Sequence, residues 1–243
     1  MQLERMTWPE VENYLGRRDG VLIATGSMEQ HGPIGLIGTD AICAGSIAME
    51  VAMRADAVVA PTLNYTPAPF NTGFPGTVSI SVDIFRQLTL DIFKGLLQQG
   101  FGKIYVVNGH GANLEPLAAV ASTLPAGSLR VQSWWGFPEV QALRDQYYGE
   151  WEGMHATPSE VAITQHVTGI VHPGAEAPPQ KLSADFIREH AGDRHGPPDE
   201  HRAAFPDGRV GSHSALAEPV HGEELFAAAV AAIQQDFAAF VED

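Results

Sequence analysis

A carboxylate, an imidazole and a second carboxylate follow closely at Glu29, His31 and Asp40, in the run Gly26-Ser27-Met28-Glu29-Gln30-His31-Gly32 and the triplet Gly38-Thr39-Asp40. Their oxygen and nitrogen atoms are donors of the kind that hold Zn²⁺ or Mn²⁺. Glu29 and His31 stand two residues apart, so on an extended segment both side chains point to the same side. The competing reading is a glycine-rich turn whose polar groups merely satisfy backbone donors. Upstream, the apolar run Val21-Leu22-Ile23-Ala24-Thr25 reads as a strand. A strand ending in polar side chains among glycines resembles the rim of a parallel sheet, where open α/β proteins bind ligands. The expectation is a metal-dependent hydrolase.

Two further clusters carry chemistry. Asn108-Gly109-His110-Gly111-Ala112-Asn113 follows an apolar strand at 103–107. The small neighbours of His110 let the backbone approach closely, and Asn108 and Asn113 read as side chains that pin the turn. Trp151-Glu152-Gly153-Met154-His155-Ala156-Thr157-Pro158-Ser159-Glu160 is the third. Thr157 is placed to cap a helix starting at Pro158, with Glu160 as its reciprocal carboxylate. That role competes with a metal-binding or catalytic one for Glu160, while His155 reads as catalytic or substrate-orienting. Trp134, Trp135 and Trp151 suit the walls of a small pocket, although aromatic residues are also ordinary core material. The chain has 10 histidines, so most need a mundane explanation. His31, His110 and His155 stand out by their local sequence. Neither a phosphate-loop lysine nor a GxGxxG fingerprint is present.

The elements that must position these residues alternate. Strands are expected at 21–25, at 57–60 (stopped by Pro61), at 103–107 and at 129–134. Helices are expected at 41–55, capped by Thr39 or Asp40, and at 82–99, with Ile84, Phe85, Leu88, Ile92, Leu96 and Leu97 inward. Others fall at 114–122, 137–148, 159–166 and 223–241, the last with a core or subunit-contact stripe of Leu225, Phe226, Val230, Ile233, Phe237 and Phe240. Such alternation favours an α/β fold with a largely parallel sheet. A long proline-bearing loop at 64–77 reads as functional. From about 170 to 214 the chain is rich in Pro, Gly, His and charge, and reads as an excursion or lid with one short helix at 184–190. One domain over 1–243 is expected.

Composition narrows the classes. A hydrophobic share of 44% supports a real core, and 14 Lys and Arg against 29 Asp and Glu give a net charge of −15. That balance argues against nucleic acid and anionic membrane as partners. The lone Cys43 has no internal disulfide partner and reads as a buried structural thiol. The charged start Met1-Gln2-Leu3-Glu4-Arg5-Met6 has no signal-peptide core, and no apolar run suggests a bilayer span. A cytoplasmic protein is expected.

Taken together, the three clusters, Phe74-Pro75-Gly76-Thr77 and Glu218-Pro219 through Gly222-Glu223 resemble the creatininase (creatinine amidohydrolase) family, in family order from about residue 20 to 235. The resemblance implies a three-layer αβα core, a homo-oligomer that is commonly a hexamer, and a centre of two divalent ions, Zn²⁺ or Mn²⁺ with Fe²⁺ an alternative. Glu29, Asp40 and His110 would be ligands, with Asp40 bridging, and His31 would hold the second ion. Ala112 stands where creatininase has a further glutamate, which makes Glu160 the candidate to complete the shell. Met154 replaces an acidic residue before the histidine, and Phe70 and Asn71 occupy a part of the pocket where relatives often place a histidine. The implied reaction is hydrolysis of a small cyclic or linear amide other than creatinine, with His155 passing a proton to the departing nitrogen. Alternatives are a formamide deformylase, a lactone hydrolase, or a catalytically silent metal-binding or assembly protein suggested by Ala112.

Overall fold

The computed structural model describes residues 1–192 and 194–242. Its centre is a four-stranded sheet of β1 (Gly20–Thr25), β2 (Val58–Leu63), β3 (Lys103–Asn108) and β4 (Leu129–Ser133), ordered β2-β1-β3-β4 with every pairing parallel. The helices are α1 (Trp8–Leu15), α2 (Thr39–Arg54), α3 (Val82–Gln99), α4 (Leu114–Ala121), α5 (Pro138–Tyr147), α6 (Pro158–Thr168), α7 (Ala184–His190), α8 (Pro198–Ala204) and α9 (Pro219–Glu242).

Alternating strand residues build two cores, as a sheet covered on both faces requires. Leu22, Ala24, Tyr105 and Val107 pack with Ile47 and Val51 of α2, Val140 of α5, Ile163 of α6, and Leu225, Val230, Ile233 and Phe237 of α9. Val21, Ile23, Ile104 and Val106 pack with Tyr14 of α1, Phe85 and Phe93 of α3, and Leu117 and Val120 of α4. The three layers are therefore helices, parallel sheet, helices.

Several expectations change in detail. β2 runs through Pro61 to Leu63, because it is an edge strand and a proline there forfeits no ladder bond to a further neighbour. Gly38, not Thr39 or Asp40, occupies the position before α2; the Thr39 hydroxyl instead donates to the Leu36 carbonyl at 2.7 Å. On α3 Ile84 and Leu88 are exposed, and Phe85, Thr89 and Phe93 form the buried face. The 170–214 segment holds a second helix, α8, and α1 was not foreseen. Helix α9 starts earlier than expected and is long and apolar enough to cross a membrane by length and composition. Its stripe is nevertheless spent on the core, while Glu223, Glu224 and Gln235 are exposed. Cys43 is buried, with its thiol 3.4 Å from the Glu160 carbonyl.

Candidate metal centre

The polar residues meet where β1 and β3 end. Helix α2 starts against both strand ends at very short range. A Cβ at Gly26 would lie 2.3 Å from the Ala41 nitrogen, and one at Gly109 2.4 Å from the Asp40 carbonyl oxygen. Only glycine permits that approach, and it carries Asp40 in the first turn of α2 to the side chains leaving β1 and β3.

Three histidines follow one pattern: one ring nitrogen on a backbone carbonyl, the other turned to carboxylates. His31 has Nδ1 3.1 Å from the Glu29 carbonyl, and Nε2 2.9 Å from Asp40 Oδ1 and 3.8 Å from Glu160 Oε1. His110 has Nε2 2.8 Å from the Pro67 carbonyl, and Nδ1 3.1 Å from both Glu29 Oε1 and Asp40 Oδ2. His155 has Nε2 2.7 Å from the Gln30 carbonyl, and Nδ1 3.7 Å from Glu29 Oε1. A carbonyl takes a ring N–H, which leaves the opposite nitrogen as a lone pair, the usual arrangement around metal-ligating histidines.

Charge makes the case for a cation. Among the described residues Glu29 Oε1 and Asp40 Oδ2 are buried without a hydrogen-bond donor, yet a histidine nitrogen stands at 3.1 Å from each. Lone pairs gathered in that way need a positive charge among them. With no ion bound, protons serve. Burial opposes a charge on His31, but Asp40 and Glu160 outweigh it and push the pKa up to about 10. His110 is likewise raised well above the ordinary value, against its burial, by Glu29 and Asp40. Burial pushes Asp40 and Glu29 upward too, but the histidines overrule it and leave both carboxylates low. His155 goes the other way: burial, with His31 adding to it against Glu29, pushes it down to about 3. Burial lifts Glu160 to about 7 despite His31.

Sets of ligating atoms within 4.8 Å of one another comprise Glu29, Asp40 and His110; His31, Asp40 and Glu160; and Glu29, His31 and His155. Asp40 belongs to the first two and directs a different oxygen to each. Glu160 Oε1 accepts the Thr157 N–H at 2.5 Å as the capping carboxylate of α6, and the same oxygen lies 3.8 Å from His31 Nε2. Asn108 and Asn113 hold the strand end, donating to the His110 and Gly26 carbonyls at 2.8 and 3.1 Å.

A cavity of about 190 Å³ opens on these groups, with Trp134, Trp135, Leu114 and Met154 among its walls. Asn71 stands beside it, donating to Glu29 Oε2 at 3.0 Å, and Phe70 packs edge-on to His155. Trp151 is not among the lining residues; it packs edge-on to His213 with Lys181 Nζ 4.6 Å from its ring centre. A roomier cavity of about 350 Å³, bordered by Tyr14, Arg17, Arg18 and Gly20, lies where β1 begins, away from every ligating set. Volume alone does not mark the site.

Sequence reasoning missed Gln30 and Arg144. Gln30 Nε2 donates to Asn71 Oδ1 at 2.7 Å and to the Gly208 carbonyl at 3.0 Å, joining the rim to the late excursion. Arg144 lines the cavity from α5. The only sequence signal for Gln30 was its place between two ligand candidates, and Arg144 carried none.

The model of the creatininase (creatinine amidohydrolase) family matches residues 4–237. The chain belongs to the creatininase family. Over 172 residues it is 34% identical to the mycofactocin precursor peptide peptidase of Mycolicibacterium smegmatis, covering 67% of this chain and 68% of that protein. It is 27% identical over 177 residues to the creatinine amidohydrolase of Pseudomonas putida, 65% of this chain and 68% of that one. A solved manganese creatininase superposes with a TM-score of 0.76 at 22% identity, covering 100% of this chain and 99% of the other, which establishes the shared fold. The protein is thus a creatininase-family hydrolase that acts on carbon–nitrogen bonds.

Proposed function

We propose that this creatininase-family protein is a two-metal amidohydrolase of a small amide, with one divalent ion held by Glu29, Asp40 and His110 and a second by His31, Asp40 and Glu160. The observation that carries the reading is Asp40, which turns Oδ1 to His31 and Oδ2 to His110. One carboxylate shared between two donor sets is what a bridged pair of ions requires. Glu160 supplies a carboxylate where Ala112 has none, which disfavours the catalytically silent alternative. Mixed oxygen and nitrogen donors suit Zn²⁺, Mn²⁺ and Fe²⁺.

When bound, the ions acidify the attacking water and polarise the amide carbonyl. The chain's own residues do the rest. His155 is fixed through Nε2 by the Gln30 carbonyl, which turns Nδ1 toward Glu29 and the candidate centre, where it is placed to relay a proton to the departing nitrogen. Asn71 orients Glu29. Trp134 and Trp135 wall the cavity and limit the water that reaches the reacting carbon.

A second reading, cleavage of a peptide, is favoured by the similarity to the mycofactocin precursor peptide peptidase. The chain's net charge of −15 fits neither reading to nucleic acid. We place the protein in the cytoplasm as one domain and a homo-oligomer, hexameric as the family resemblance implies; sedimentation velocity checks the assembly. Metal analysis paired with turnover assays on small lactams, formamides, lactones and short peptides tests the function. Two ions per chain and hydrolysis of an amide are expected; full turnover by metal-free protein would sink the reading.

A further inference from the structure

We propose that Arg144 anchors a carboxylate at the far end of the substrate, so that the enzyme prefers amides carrying one negative charge; the inference rests on the amidohydrolase reading above. Among the described lining residues of the metal cavity, Arg144 is the one Lys or Arg, set in a wall shared with Glu29, Asp40 and Glu160. Its side chain is only 14% exposed, so solubility does not explain its place. Two bonds hold the guanidinium: Nε donates to Glu152 Oε1 at 2.9 Å, and Nη1 to Gln141 Oε1 at 2.8 Å. Among the described residues Nη2 makes no hydrogen bond. A planar fork pinned at two points and open at a third loses little freedom on taking a further acceptor.

The neighbours narrow the acceptor's charge. Glu152 offsets part of the guanidinium's charge and is itself shared with the Ser159 hydroxyl. One partly offset cation in a strongly acidic protein suits a monoanion such as a carboxylate better than a phosphate dianion, which is best met by several cationic donors. Trp134, Trp135, Leu114 and Met154 supply apolar wall for the carbons between the two ends. A cavity of about 190 Å³ sets a short spacing, a few carbons from amide to carboxylate. A peptide's terminal carboxylate meets the same description.

Calorimetric titration of the zinc-loaded protein with succinamate and with neutral succinamide tests this directly. The wild type is expected to bind succinamate about tenfold more tightly, the scale of one charge-assisted contact. Arg144→Gln should bring the ratio close to parity and Arg144→Lys should restore part of it. Glu152→Gln frees the guanidinium's charge and should raise the ratio. If Arg144 serves only to hold Glu152, the Gln variants at 144 and 152 will move the ratio alike, and the proposal falls. It falls equally if Arg144→Gln leaves the ratio unchanged, or if the zinc-loaded wild type binds neither compound or binds both alike. A protein that takes up no zinc instead brings down the metal reading, before any ligand is added.

Discussion

Two histidine-rich regions border the same part of the molecule, and they are built on opposite principles. At the strand-end rim, His31, His110 and His155 each have one nitrogen on a backbone carbonyl and the other toward buried carboxylates. In the 170–214 excursion, His190, His195 and His201 pack ring against ring with one another and with Phe70, Phe186 and Phe205. Among the described residues Nε2 of His195 and of His201 is buried without a hydrogen-bond partner, and burial beside other histidines pushes His195 down to about 4. The rim is organised to hold positive charge; the excursion is organised to exclude it. Histidine alone therefore does not make a metal site. The carboxylates that face it do.

Removing the shared carboxylate should break the contrast most severely. Asp40→Ala is expected to abolish turnover and release metal, since both donor sets lose a member; metal analysis and a steady-state assay check it. Gly109→Ala tests whether the rim depends on backbone clearance as well as donors. Its methyl would meet the Asp40 carbonyl at 2.4 Å, so a loss of about 1–3 kcal/mol of stability is expected from overpacking. Displacing Asp40 by a fraction of an ångström should also cost on the order of 100-fold in rate. Thermal unfolding and kinetics separate the two effects.

A pH series sharpens the electrostatic side. His31 is held up to about 10 when no ion is bound, so metal uptake at neutral pH must expel its proton. Affinity should rise with pH, by up to about tenfold per unit for each proton released. The sign is opposite in the metal-free protein. A folded pKa above the unfolded value near 6.5 gives His31 a stabilising contribution that is full below 6.5 and lost as pH rises through about 10. The gap in melting temperature between metal-loaded and metal-free protein should therefore widen from pH 6.5 to 9. The smallest effect is expected in the excursion. His201→Phe removes an unpartnered buried nitrogen and keeps an aromatic ring against Phe70 and Phe205, so stability should stay within about 1 kcal/mol of wild type.

Much of the rim was legible because its donors sit beside strands whose apolar runs are plain. Val21-Leu22-Ile23-Ala24 and Ile104-Tyr105-Val106-Val107 announce β1 and β3, and the polar residues that follow must then emerge at one edge of a parallel sheet. Helix α3 was placed at its full length by periodicity, yet Ile84 and Leu88 were assigned inward, since a periodic stripe wider than the contact leaves its margin exposed. Pro61 misled because proline is a poor guide to strand ends when the strand is at an edge, and edge position is a property of the whole sheet. The excursion was least legible: ring contacts such as Phe186 on His190 or Phe70 beside His195 follow no period. Arg144 was invisible for a related reason. Its partner Glu152 lies beyond the end of its own helix, and its exposure to the cavity depends on how α5 packs.

Glu160 engages α6 and the candidate centre through one oxygen, so the first turn of that helix and the environment of His31 cannot open independently. Amide exchange at Thr157 and at residues 159–161 should then keep step with ion release. Because α6 lies along α9, a push on the carboxy-terminal helix has a short mechanical route to the chemistry: one rod of backbone and a single bond of 2.5 Å.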